Sequence, residues 1–372
     1  MPVMPSLLDR MLPAALQPPP PLRQPFLIYG AGKRGLEIAD FLGGAGLAPI
    51  GFADRRVSAD ETLVGLPLHT IADWASQLGA GVGDVAVVVA IHNPNVAMAP
   101  LLASLRALGF GRVISPVELQ ACFASTLADA YWLTAPARYA RFADRLCAVE
   151  ALFAEDKSRD ILQRTVAFRL GGDYAVLPAP SLTDQYQPAD LPRWRDPMRL
   201  IDCGAYVGDT IAALARNRFH FAAIAAFEPD PANFTRLQRN IGTECSTVCF
   251  PCGVSDATAL KTFSASASAA SCIDADCTDG HSIQCVAIDD ALHNFAPTLI
   301  KMDIEGEEHA ALNGAQRTIA ASRPALAVSL YHCPEHLWEI PLLIDSWQLG
   351  HRFFLRSHAH SSFDLVLYAV PD

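Results

Sequence analysis

The chain has no uninterrupted apolar run of the roughly 18 residues a helix needs to cross a bilayer, so no membrane partner is expected. It also lacks excess positive charge. Its 28 Lys and Arg stand against 39 Asp and Glu, for a formal net charge of −11. Such a surface tracks phosphates poorly, and nucleic acid is not an expected partner. Met1 to Pro25 carry Asp9, Arg10 and Pro18-Pro19-Pro20-Pro21 in place of a basic start and a continuous apolar stretch, which does not read as a signal peptide. The ten cysteines form no small cross-linked framework; they sit in apolar or strand-like context, which suits reduced thiols and a cytoplasmic setting. The N-terminal half holds neither Tyr-x-x-x-Lys nor a paired histidine and carboxylate, so hydride chemistry is disfavoured there.

What is present fits two cores: 372 residues with 51% hydrophobic content. Residues 1–24 read as a disordered, Pro-rich leader. A strand at Phe26-Leu27-Ile28-Tyr29 runs into Gly30-Ala31-Gly32-Lys33-Arg34-Gly35 and a helix, and a second strand from Ala48 to Ala53 ends at Asp54. This is a dinucleotide fingerprint in its strand, turn, helix, strand setting, with Gly30, Gly32 and Gly35 under phosphates and Asp54 on a ribose. Two readings stay open, a nucleotide or nucleotide-sugar pocket and a fold that packs or dimerises without a ligand. Strands at 85–90 and 112–114 with a helix at 95–108 complete a small doubly wound domain over residues 25–115. Residues 116–198 read as a helical connector to about Gly171 and then an irregular loop with five prolines, which serves as a linker or caps a cleft.

The C-terminal part is organised by Asp202-Cys203-Gly204-Ala205-Tyr206-Val207-Gly208, which reads as strand, tight turn and helix, with Gly204 and Gly208 letting backbone lie against a ligand. A second apolar run, Ala222 to Phe227, closes on Glu228, an acid suited to ribose hydroxyls. A third strand at 247–251 leads to Asp256, which is placed to accept from an adenine amino group. Leu299 and Ile300 begin a buried strand with Asp303 and Glu305 at its carboxyl end, and residues i and i+2 of a strand point the same way. Open α/β sheets bind ligands at that edge, so both acids should share a cleft with Asp202 and Glu228. His332, after the strand at 324–330, should reach the same edge, either for proton transfer or as a hydrogen-bonded structural histidine.

Three other patterns compete. Cys245-x-x-x-Cys249-x-x-Cys252 has the spacing of an iron–sulfur loop, but Cys249 falls within a predicted strand of a doubly wound sheet. His358-x-His360 reads as part of the polar turn of a closing hairpin, from 352–355 to 364–368. The Ser and Ala run at 264–271 reads as a flexible surface loop.

Taken in order and spacing, Asp202 to Thr210, Glu228-Pro229-Asp230-Pro231-Ala232-Asn233, Gly253-Val254-Ser255-Asp256, Lys301-x-Asp303-x-Glu305-Gly306-x-Glu308 and Tyr331-His332 resemble the FkbM-type S-adenosylmethionine-dependent methyltransferases. Residues 26–115 look like the Rossmann-type domain sometimes fused ahead of them. The resemblance implies an α/β chain of two doubly wound Rossmann-like domains joined by the helical connector. Residues 199–372 would form a class I methyltransferase fold with a closing antiparallel hairpin. It implies S-adenosylmethionine as cofactor and O-methylation of a hydroxyl on a small-molecule or glycan acceptor such as a sugar or polyketide.

Carried over by position, Asp202, Gly204 and Gly208 would meet the methionine part and the turn, Glu228 the ribose and Asp256 the adenine. Cys203 and Ala205-Tyr206 stand where many members carry Val and Ala-Asn, so Tyr206 alters the pocket wall. The sulfonium methyl is already activated, leaving the protein to align an acceptor oxygen and exclude water. A hydroxyl is a weak nucleophile, so a base helps: His332 or Asp303, with Glu305 orienting it or binding the acceptor. Two carboxylates and one histidine do not by themselves identify a metal. The rival expectations are a non-catalytic binding or assembly protein that uses both Rossmann-like halves as scaffolds, and methyl transfer to a sugar carbon or nitrogen; a homo-oligomer is also expected as a partner state.

Overall fold

Short, wholly apolar runs set the architecture, because a parallel strand is covered on both faces and tolerates no polar side chain. The structure is a computed structural model, and it describes residues 19–55, 57, 61–241, 245–263 and 281–372. Most of the expected leader and the Ser and Ala run at 264–271 lie outside the described residues. The chain divides into two compact units: residues 1–143, 163–179 and 359–363, and residues 144–162, 180–358 and 364–372. Among the described residues no helix is long and apolar enough to cross a membrane.

In the first unit the elements run β1 (Phe26–Tyr29), α1 (Lys33–Gly44), β2 (Gly51–Ala53), β3 (Thr62–Leu63), β4 (Leu66–His69), α2 (Ile71–Leu78), β5 (Ala86–Val89), α3 (Met98–Ala107) and β6 (Arg112–Ile114). The sheet order is β3-β4-β2-β1-β5-β6, parallel except for the β3–β4 pair. Every residue of β1 and β5 is buried, and Ile28, Ile38, Leu42, Phe52 and Val88 share one core. The β3–β4 hairpin has no apolar signature; it turns on Val64 and Gly65, both at positive φ. Along the chain follow α4 (Pro116–Cys122) and α5 (Pro136–Arg141) in this unit, then α6 (Ala143–Leu152), nearly all of it in the second, and α7 (Asp156–Gly171), which is divided between the two. The expected helical connector is thus four helices, interrupted where an isolated bridge joins Ala130 to Leu133 around buried Trp132. Residues 177–197 contain no helix or strand.

In the second unit the order is β7 (Met198–Cys203), α8 (Asp209–Arg216), β8 (Phe221–Phe227), α9 (Pro231–Asn240), β9 (Ser246–Phe250), β10 (Gly253–Val254), β11 (Ala259–Phe263), β12 (His281–Val286), α10 (Ile288–Ala291) and β13 (Leu299–Met302). It continues with α11 (Glu308–Asn313), α12 (Gln316–Ser322), β14 (Ala325–Ser329), α13 (His336–Ser346), β15 (His351–Ser357) and β16 (Leu365–Pro371). Seven strands form one sheet in the order β15-β16-β14-β13-β7-β8-β9, with β16 antiparallel to both its neighbours and the rest parallel. This is a class I methyltransferase arrangement closed by an antiparallel hairpin.

Register fixes the edge where ligands bind. Cys203 pairs with Phe227 of β8 and with Met302 of β13, so three parallel strands end level and Gly204, Glu228 and Asp303 follow together. The order reverses between β7 and β13, and a doubly wound sheet opens a crevice at such a switch point.

After β13 the helical segment is split into α11 and α12 at Gly314, whose carbonyl accepts from Asp289 N at 2.9 Å instead of continuing the helical ladder. The turn expected around His358-x-His360 does close the β15–β16 hairpin, though much of it is buried. His358, Ser361 and Ser362 are buried, and the His358 ring lies 2.9 Å from Ser181 O and 2.8 Å from the Tyr368 hydroxyl.

Candidate functional site

At the level ends of β7, β8 and β13 lies a cavity of about 430 Å³ lined by Gly204, Tyr206, Glu228, Lys301, Asp303 and Glu305 among others. Gly204 has φ +76, and a Cβ there would sit 2.0 Å from the Asp303 carbonyl oxygen, so only glycine lets the turn after β7 pass the end of β13. Gly208, at φ +85, precedes α8 as its N-cap. Glu228 is buried, and its two oxygens accept from Tyr206 N and Asp230 N, both at 2.9 Å. Burial raises its pKa against these donors. The Asn233 side chain is a third donor, which still leaves one of the carboxylate's roughly four lone-pair positions for a hydroxyl.

Asp202 does not face the cavity. It is fully buried beneath it, with Oδ1 3.1 Å from Lys301 Nζ. Lys301 stands between Asp202 and the cavity and also donates to Gly204 O at 2.6 Å. Burial works against its charge, but Asp202 and Asp303 outweigh burial and hold the ammonium protonated. Asp202 therefore anchors the turn through Lys301.

Asp303 and Glu305 both line the cavity, but not by strand alternation, because β13 ends at Met302. A turn carries them there, with Glu305 at φ +56. The Asp303 carboxylate accepts from the Tyr186 hydroxyl at Oδ2 (2.8 Å) and from the Tyr331 hydroxyl at Oδ1 (3.2 Å). His332 is 2% exposed, its Nε2 3.4 Å from Asp303 Oδ1 and 3.8 Å from Glu305 Oε2. Its Nδ1 lies 2.7 Å from Glu308 Oε1. Glu308 also accepts from Ile304 N at 2.7 Å and Gly306 N at 3.1 Å, and its Oε2 is 3.3 Å from His336 Nδ1.

Burial alone would lower the His332 pKa. The carboxylates of Glu308, Glu305 and Asp303 overcome burial and hold it up to about 10, while burial of Glu308 is overcome by His332 and His336, which push its pKa far down. His332 is thus an imidazolium at neutral pH without ligands. A ring held in that form is poorly suited to take a proton, so of the two candidate bases the electrostatics favour Asp303. Asp364 beside this cluster is raised to about 6 by burial and then by Asp303.

The remaining expected residues lie elsewhere. Asp256 is exposed, with Oδ1 3.0 Å from Ser255 Oγ and 3.6 Å from Lys261 Nζ, and it does not line the cavity. In the first unit Gly30 and Gly32 lie in the turn from β1 into α1, Gly35 packs from the first turn of α1 against Gly30 O, and Asp54 Oδ2 accepts from Ala31 N at 2.9 Å, so the fingerprint residues do come together. Cys249 lies in β9 and packs with Cys245 against the core. Burial raises the Cys249 and Cys252 thiols, Cys252 to about 11, which is the reverse of a thiolate cluster.

Sequence reasoning missed Tyr186, Lys301, Tyr331 and Asp364 as parts of the site. Lys301 and Glu308 stand in the quoted Lys-x-Asp-x-Glu-Gly-x-Glu element, so a signal existed for them. Tyr186 had none, because a loop residue reaching a cleft leaves no periodicity.

Residues 202–357 match the family described as the methyltransferase FkbM domain. A crystal structure of methyltransferase FkbM from Methylobacillus flagellatus KT is similar at TM-score 0.77 and 22% identity, covering 98% of this chain and 93% of that one. At that identity the likeness establishes the fold. A complex containing the Haloferax volcanii Trm112 methyltransferase activator matches at TM-score 0.26 and 11% identity, over 63% of this chain and 97% of that one, and carries no argument. No curated protein matches the chain.

Proposed function

We infer, from a chain whose residues 202–357 form a methyltransferase domain of the FkbM type, that this cavity takes S-adenosylmethionine and passes its methyl group to a hydroxyl of a sugar, glycan or related metabolite. One observation carries the reading: Glu228 and Asp303 face one cavity across the Gly204 turn. The residues fit the cofactor. A volume of about 430 Å³ lies within the roughly 300–1,000 Å³ range of ligand pockets, and Glu228 is placed as a ribose-hydroxyl acceptor. Acids lining the cavity suit a ligand bearing sulfonium and ammonium charges.

S-adenosylmethionine, when bound, supplies a methyl group already activated on a sulfonium. The chain's own residues then have three tasks. Gly204 and Tyr206 hold the backbone wall against which the donor lies. Asp303 accepts the proton of the acceptor hydroxyl, its carboxylate fixed by Tyr186 and Tyr331. His332, held by Glu308 on its far side, packs its other nitrogen against Asp303 and keeps that carboxylate oriented.

Incubation of the full chain with the donor and a panel of hydroxylated sugars, read by mass spectrometry, tests this. An Asp303→Asn variant should lose about 10²- to 10⁴-fold in turnover with donor binding retained. Wild-type turnover in the folded variant would remove Asp303 from the mechanism. Products methylated only on carbon or nitrogen would overturn the acceptor class.

A further inference from the structure

The wall that holds Asp303 also has the construction of a metal site. Two carboxylate oxygens approach His332 Nε2, Asp303 Oδ1 at 3.4 Å and Glu305 Oε2 at 3.8 Å. Donor atoms of Asp303, Glu308 and His332 all lie within 4.8 Å of one another. Ligands at about 2.0–2.2 Å from one cation sit roughly 3–3.5 Å apart, so the observed spacing needs only a small contraction.

A second observation concerns the far side of the ring. A ligating imidazole almost always donates its other N–H to a carboxylate, a backbone carbonyl or water, which fixes the tautomer and aims the remaining nitrogen. His332 has that arrangement: Nδ1 lies 2.7 Å from Glu308 Oε1, and Glu308 is fully buried and held by the backbone N–H groups of Ile304 and Gly306. This support would be superfluous for a surface cluster of acids. Glu305 is held at φ +56 with its carboxylate half exposed, and it and Asp303 open onto the cavity, where water or an acceptor oxygen can complete the coordination.

We propose that Asp303, Glu305 and His332 bind a divalent cation of the class that prefers oxygen and imidazole donors, such as Mg²⁺ or Mn²⁺, beside the methyl-transfer site. Cation entry displaces the proton from His332 Nε2 to solvent. The role of the cation rests on the methyltransferase reading: it binds the acceptor hydroxyl and lowers its pKa. The O–H proton passes to a carboxylate or water, the new bond forms from that oxygen to the methyl carbon, and the sulfur–methyl bond breaks to leave a neutral thioether.

The test uses the full chain, stripped with a chelator and titrated with MnCl₂ by electron paramagnetic resonance, with neither donor nor acceptor present. One Mn²⁺ per chain is expected, weakened at least tenfold in Glu305→Gln and unchanged in Asp256→Asn, which lies outside the cavity. Calorimetry with S-adenosylhomocysteine on Glu305→Gln checks that the fold and the donor site persist. Absence of a stoichiometric Mn²⁺, or equal binding in Glu305→Gln, overturns the proposal. Because the titration contains no donor, its failure leaves the methyltransferase reading standing, and absence of donor binding by the wild type leaves the wild-type Mn²⁺ stoichiometry standing.

Discussion

Replacing Glu308 with Gln should expose how the site is held together. The glutamate pairs with His332, is fully buried and anchors the turn that carries Asp303 and Glu305. The His332 pKa is held up to about 10 against an ordinary 6.5, and that gap corresponds at about 1.36 kcal/mol per unit to a ceiling of about 5 kcal/mol. The depressed pKa of Glu308 reports the same pairing and is not added. Removing one partner of a buried pair typically costs about 3–5 kcal/mol, so the two routes agree.

The sign follows from linkage. A group whose folded pKa is raised stabilises fully below its unfolded value, near 6.5, and that stability drains as pH rises through about 10. Chemical unfolding of wild type and Glu308→Gln in chelator, from pH 6 to 10, should show a gap of about 3–5 kcal/mol near pH 7 that narrows as pH rises. A gap under about 1 kcal/mol, or one independent of pH, would refute the reasoning.

Two further substitutions separate architecture from chemistry. Gly204→Ala meets both a φ of +76 and a carbonyl 2.0 Å from the new Cβ, so a loss of about 2–5 kcal/mol in thermal unfolding is expected together with loss of donor binding; wild-type melting would contradict it. Tyr186→Phe removes the hydroxyl that donates to Asp303 at 2.8 Å, a bond to a charged group worth about 1.5–3 kcal/mol. Turnover should fall about tenfold or more with donor affinity unchanged, and unaltered turnover would show that the tyrosine only fills space.

The fold was legible where burial is two-sided. Unbroken apolar runs such as Ala86–Val89 and Leu299–Ile300 leave no choice of face, and Glu228 after β8 and Asp303 after β13 mark the ligand edge. The site was legible only in part. Asp303 and Glu305 were found through strand alternation, whereas a turn with a positive-φ glutamate brings them to the cavity. Asp202 stands in the right motif, yet Lys301 covers it, because a lysine two residues before Asp303 reaches across to β7 and claims the charge. The protonation of His332 depends on Glu308, and a near-neutral histidine cannot be told from an imidazolium until its neighbours are placed.

The central claim is that the cavity between β7, β8 and β13 holds an adenosyl donor through Glu228. Calorimetric titration of the full chain with S-adenosylhomocysteine tests it most directly. One site per chain is predicted in the wild type, with affinity at least tenfold weaker in Glu228→Ala, since hydrogen bonds to a charged group contribute about 1.5–3 kcal/mol each. No heat of binding in the wild type, or equal affinity in the variant, would contradict the account.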